Sequence, residues 1–99
     1  MFECPEIVGG AKVICYTSID NRHTHTKNTK QIVGGVLLGA ANGLAICQYE
    51  KEEYFYLFGC DEQWNSLSDT WHETLEDAKE QAEYEYQGTN KSWISFKPH

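Results

Sequence analysis

Five runs of β-branched and aromatic residues, each closed by a short polar stretch, precede a single helical period, and that order decides most of what the chain can become. The runs are 11–19 (AKVICYTSI), 32–38 (IVGGVLL), 44–50 (LAICQYE), 54–60 (YFYLFGC) and 64–71 (WNSLSDTW). Runs of this length and composition, bounded by turn residues, read as strands. The first is apolar enough to be buried on both faces. In the last, the polar residues alternate imperfectly, which marks an edge strand. Asn42-Gly43 supplies the positive φ of a tight turn, so 32–39 and 44–50 are expected to pair as an antiparallel hairpin.

The helix announces itself. The Thr74 hydroxyl is placed to cap the backbone N–H of Asp77, with Asp77 standing where a capping box prefers Glu. Leu75, Ala78, Ala82 and Tyr86 recur at helical spacing and form one apolar stripe. Gly88 is the expected left-handed stop, and 92–97 (SWISFK) reads as a last short strand. The expected fold is therefore α+β: an antiparallel meander of about five strands, one C-terminal helix on one face, and a short final strand. Ninety-nine residues make one domain, 1–99, and leave no room for a second core.

Fifteen acidic residues against eight basic ones give a net charge of −7. Nucleic acid and anionic membranes both need a positive footprint, so neither is an expected partner. A basic protein is. No apolar run approaches the roughly 20 residues that span a bilayer, and the first residues lack a secretory pattern, so the expected location is the cytoplasm. Cys4, Cys15, Cys47 and Cys60 show no C-x-x-C spacing. In a reducing compartment they read as free thiols, the last three serving as small core hydrophobes.

Between residues 56 and 93 the chain carries Tyr56-Leu57-Phe58, Cys60-Asp61-Glu62-Gln63-Trp64-Asn65, Asp69-Thr70-Trp71-His72 and an acidic helix ending in Glu83-Tyr84-Glu85-Tyr86. This series resembles a group of small bacterial proteins of unassigned activity, over about two fifths of the chain. The resemblance implies a bacterial source and a shared fold, and it implies no reaction. In size and charge the chain is also similar, at the level of class, to toxin-neutralising immunity proteins.

The acidic helix is the leading candidate surface. Glu73, Glu76, Asp77, Glu80, Glu83 and Glu85 crowd a stretch that holds one lysine, Lys79. Glu73–Asp77 and Glu76–Glu80 are like charges four residues apart, each costing a few tenths of a kcal/mol in an isolated helix. A cationic partner would relieve that repulsion, whereas the plain alternative is a solvated helix back. Glu50, Glu52, Glu53, Asp61 and Glu62 join this surface if their two turns share its side. Trp64, beside a turn, is the expected exposed anchor, and Trp71 is expected in the core under the helix.

Other constellations are weaker. His23-Thr24-His25 is half of a metal site or an exposed polar loop. Arg22, Lys27 and Lys30 form a small basic cluster. Cys60, Asp69 and His72 have the residue types of a thiol nucleophile, an orienter and a base. No phosphate loop, G-x-S-x-G or zinc-protease motif is present, and no cofactor is expected. The reading is a non-enzymatic binding domain, of the kind that inhibits a basic, nuclease-type toxin. The alternatives are a small enzyme or ligand binder centred on Cys60 and His72, or a homodimer subunit joined through edge strands or Trp64.

Overall fold

The computed structural model describes residues 3–26, 32, 33, 36, 37 and 40–96. The architecture is α+β: a curled antiparallel sheet with one helix packed on it and a short C-terminal strand. The elements are β1 (Ile7–Val8), β2 (Ala11–Ser18), β3 (Thr24–His25), β4 (Ile32–Val33), β5 (Val36–Leu37), β6 (Gly43–Gln48), β7 (Phe55–Cys60), β8 (Ser66–His72), α1 (Leu75–Glu85), β9 (Tyr86–Gln87) and β10 (Ile94–Ser95). The main sheet runs β1-β2-β6-β7-β8, and β10 pairs with β2. Since β6 fills one edge of β2, the other is shared, with β1 alongside Ala11 and Lys12 and β10 alongside Cys15 and Tyr16. Among the described residues no helix is long and apolar enough to cross a membrane.

The N-terminal hairpin was legible but is not among the expected strands. Val8 lies opposite Ala11, and the two residues between them, Gly9 and Gly10, have φ of 59° and 81°. Positive φ at both central positions is the turn that suits strand twist. Gly9 is also pressed onto the sheet, where a Cβ would come within 2.5 Å of the Phe58 ring.

The expected hairpin across Asn42-Gly43 does not form. Gly43 is the first residue of β6, faces Ser18 on one side and Cys60 on the other, and is not among the positive-φ glycines. A strand has two edges, and those of β6 are taken by β2 and β7. Described residues of 32–39 pair locally instead, β4 with β5. The remainder of that expected strand lies outside the described residues.

Two cores sit on the two faces. A register shift between Val13 and Cys15 leaves Ile14 as an extra residue in β2. Val13 therefore packs with Cys47 and Phe58 on one face, while Cys15 joins Ile46 and Leu57 under the helix. A bulge of this kind lets one strand feed both cores. The helix contributes Ala78 and Ala82, with Leu75 half-buried, and Tyr86 just after it completes the stripe. Thr74 caps it, accepting from Asp77 N–H at 3.0 Å. Its end differs from expectation: the helix stops at Glu85, Tyr86 and Gln87 pair with β3, and Gly88 (φ 105°) opens a 3-10 turn at Thr89–Lys91.

The tryptophan assignments reverse. Trp64 is buried at 4% exposure and Trp71 is 49% exposed. Asp61 folds the β7–β8 turn: its carboxylate accepts from the backbone N–H of Gln63 and Asn65 and from the Asn65 side chain. Trp64 N–H closes on Asp61 O at 3.0 Å, and Trp64 takes a left-handed φ of 66°. That conformation costs a bulky residue on the order of 1–3 kcal/mol. It turns the indole inward, edge-on to Tyr16 at 5.8 Å, where burial offsets the strain.

Candidate functional site

β7 begins at Phe55 opposite His72, the last residue of β8. The β6–β7 turn and the junction between β8 and α1 therefore meet at one end of the sheet. Tyr54 and Trp71 stand exposed there, their rings 4.9 Å apart and tilted by 52°. Trp71 pairs across strands with Tyr56, so both project from the face opposite the helix. Tyr49 meets Tyr56 edge-on at 5.0 Å. The Tyr56 hydroxyl donates to Glu52 at 3.2 Å. Its pKa is raised, first by desolvation and then by the charge of Glu52. Glu50, Glu52, Glu53, Asp69, Glu73 and Glu76 are exposed at this end or beside it.

The expected carboxylates divide into two groups. Glu53, Glu62, Glu73, Glu76 and Glu80 are exposed. Asp61, Asp77 and Glu83 are committed to the fold. Asp61 holds its own turn, and the N–H groups of Asn65 and Gln63 keep its carboxyl below the usual range. Asp77 accepts from His72 at 3.2 Å. Glu83 clamps the chain after the helix, accepting from Gly88 N–H at 2.9 Å and Asn90 N–H at 3.1 Å. The two acidic turns do not share a surface. Glu52 and Glu53 precede β7, whereas Asp61 and Glu62 follow it, about 17 Å along a strand of that length.

Cys60 and His72 likewise form no common site. Cys60 is fully buried in the core away from the helix, and burial pushes its thiol up to about 12. Cys15, also buried, is raised to about 11 by the same cause. His72 sits at the other end of β7, on the helix side. It bonds Thr70 Oγ1 through Nε2 at 2.7 Å and Asp77 through Nδ1 at 3.2 Å. With the carboxylate as acceptor, Nδ1 carries the proton and Thr70 donates to Nε2. This chain ties the end of β8 to the first helical turn.

The two histidines of the polar loop also have structural partners. The His23 side chain is fully buried. Its Nδ1 accepts from Asp20 N–H at 3.2 Å, which leaves Nε2–H to donate to Ser92 Oγ at 2.8 Å. Ser92 Oγ lies 2.7 Å from Thr17 Oγ1, which donates onward to Ser18 O. Proton direction therefore runs from His23 toward Ser92, opposite to that of a histidine base acting on a serine. His25 stacks on Tyr86 with rings 4.9 Å apart. Among the described residues no three His, Cys, Asp or Glu side chains converge as a metal site. Arg22 is engaged by the Asp20 carboxylate, which its hydrogen bonds hold down at about 2. Lys27 and Lys30 lie outside the described residues. A cleft of about 610 Å³ opens beside this latch, lined by Arg22, His23, Glu83, Gln87, Gly88, Asn90, Lys91 and Ser92. It brings together residues too distant in sequence for spacing to reveal.

Comparison with protein-family models, curated proteins and solved structures finds no match to this chain. The functional reading therefore rests on the residues and their geometry.

Proposed function

We propose that this domain binds a basic protein partner through the acidic, aromatic-bearing end of its sheet. The observation that carries the proposal is the exposed Tyr54–Trp71 pair set among Glu52, Glu53, Asp69 and Glu73. Trp and Tyr are the residues on which interface energy concentrates. Surrounding charge of one sign speeds encounter with the opposite sign and rejects like-charged competitors. A net charge of −7 extends that preference to the whole molecule. An immunity-type inhibitor that covers the cationic cleft of a nuclease-type toxin is the form of this function that size and charge fit. The anchor is Trp71 in place of Trp64, and Glu76 and Glu80 are the helix carboxylates free to contribute.

The test is co-purification of the tagged protein from its native cell extract at low and high salt. Wild type is run beside Trp71→Ala and a Glu76→Lys/Glu80→Lys double variant. A basic protein held at low salt, released at high salt and bound about 30-fold more weakly by Trp71→Ala is the expected outcome, since truncating a hot-spot tryptophan costs about 2 kcal/mol. Equal retention by all three proteins would remove this surface from the interaction.

A further inference from the structure

The outer edge of β8 is the place on this surface where backbone as well as side chains can be recognised. Among the described residues β8 pairs only with β7. The register break of that pair is confined to the start of β8, and from Ser68 to His72 the strand runs evenly opposite Gly59 to Phe55. Alternate residues of such a strand turn N–H and C=O groups outward, ready to pair. Soluble proteins commonly guard an exposed edge with Lys or Pro. Ser66–His72 contains neither.

We propose that β8 is a docking edge that takes an extended, cationic segment of a protein partner as a further strand of the sheet. The proposal rests on the protein-binding reading above and gives it a geometry. Asp69 and Trp71 project from the same face, paired across strands with Phe58 and Tyr56. A residue directly opposite Asp69 on an added strand would lie about 5 Å away between Cβ atoms, the distance at which opposite charges stabilise a pair. The best residue there is Lys or Arg. Two residues along, over the exposed Trp71, an apolar side chain is favoured. Ser68 and Thr70 project from the other face and ask for small polar neighbours. The favoured segment therefore alternates: apolar, small polar, Lys or Arg, small polar, apolar. A second copy of this chain fits poorly. The antiparallel register centred on Asp69 sets that carboxylate against its own copy, and each copy carries a net charge of −7.

The probe is the peptide Thr-Val-Thr-Arg-Thr-Val-Thr, whose pattern is the same in either direction. It is titrated into the labelled protein while backbone amide shifts are followed by NMR. The expected result is shifts centred on residues 68–72 and binding roughly tenfold tighter than that of the same peptide with Glu in place of Arg, from the swap of an attractive for a repulsive cross-strand pair. Methylating every peptide nitrogen should abolish binding while leaving the charge in place. Asp69→Lys should invert the preference between the Arg and Glu peptides. Equal binding by the methylated peptide would overturn strand addition and leave attraction of cations standing. Shifts centred elsewhere, or no binding of the Arg peptide at millimolar concentration, would overturn the docking edge. The capture experiment above decides the wider reading separately. A dimer in sedimentation whose formation blocks the peptide would assign the edge to a second copy and overturn the proposal.

Discussion

The two edges of the main sheet are treated in opposite ways. At β2 the edge is covered by two strands of two residues each, the hairpin strand β1 and β10, which follows the helix in the chain. Phe96 N–H then continues along it, donating to the carbonyl of the bulge residue Ile14 at 3.0 Å. The return is fastened by a buried chain of polar groups, His23 to Ser92 to Thr17. At β8 only β7 is present among the described residues, and the exposed tryptophan stands on that strand. Closing an edge uses chain length and buried hydrogen bonds. Where a small domain leaves one open, the position is available for recognition, and the side chains flanking β8 have the charge to choose what pairs there.

That contrast can be broken most sharply at the closed edge. Gly9→Val puts a β-branched residue at φ 59° and drives its Cβ into the Phe58 ring. Left-handed strain and overpacking each cost on the order of 1–3 kcal/mol, so a loss of about 3 kcal/mol or more in urea unfolding is expected. Next comes Ser92→Ala. It leaves the buried His23 Nε2–H without its acceptor and takes a partner from Thr17, which is fully buried. Stranding buried polar groups costs about 1–3 kcal/mol. The thermal midpoint should fall by roughly 4–8 °C for each kcal/mol lost. Smallest is Asp69→Lys at the open edge, where no packed group is disturbed. Its unfolding free energy should stay within about 0.5 kcal/mol of wild type. A large loss there would mean that the β8 edge is part of the stability of the fold, and the contrast would fail.

Local signals were readable and distant ones were not. The helix follows from its cap and its stripe, both of which act within a few residues, and Thr74, Ala78 and Ala82 sit as their spacing requires. Strand-forming runs 44–50 and 54–60 became β6 and β7 for the same reason. The choice of neighbours depends on the whole sheet. Asn42-Gly43 looks like a turn to a local reading, yet β6 already had β2 and β7 at its edges. Gly9-Gly10 carries a turn signal of the same kind, but the strand before it, β1, is two residues long and too short to show a strand pattern. At the candidate site, composition found the carboxylates but not their duties, because the groups that occupy Asp77 and Glu83 come from the strand before the helix and the loop after it. The reversal of Trp64 and Trp71 has two causes: the left-handed φ at Trp64, which β-strand alternation does not anticipate, and the register of β8, which sets Trp71 opposite Tyr56 on the face away from the helix.

The fastening of β10 onto β2 has a consequence for how quickly the molecule can assemble. Thr17 and Ser92 are 75 positions apart, so the part of the edge that β10 covers cannot form until the two ends of the described chain meet. Local pieces such as the Gly9-Gly10 turn, the β7–β8 hairpin and the helix can form early. The encounter of two such distant segments closes a long loop, and contacts of that range slow folding far more than they affect final stability. Until that encounter the stretch of β2 at Cys15 and Tyr16 lacks its β10 partner, and a net charge of −7 disfavours the pairing of such half-closed molecules with one another.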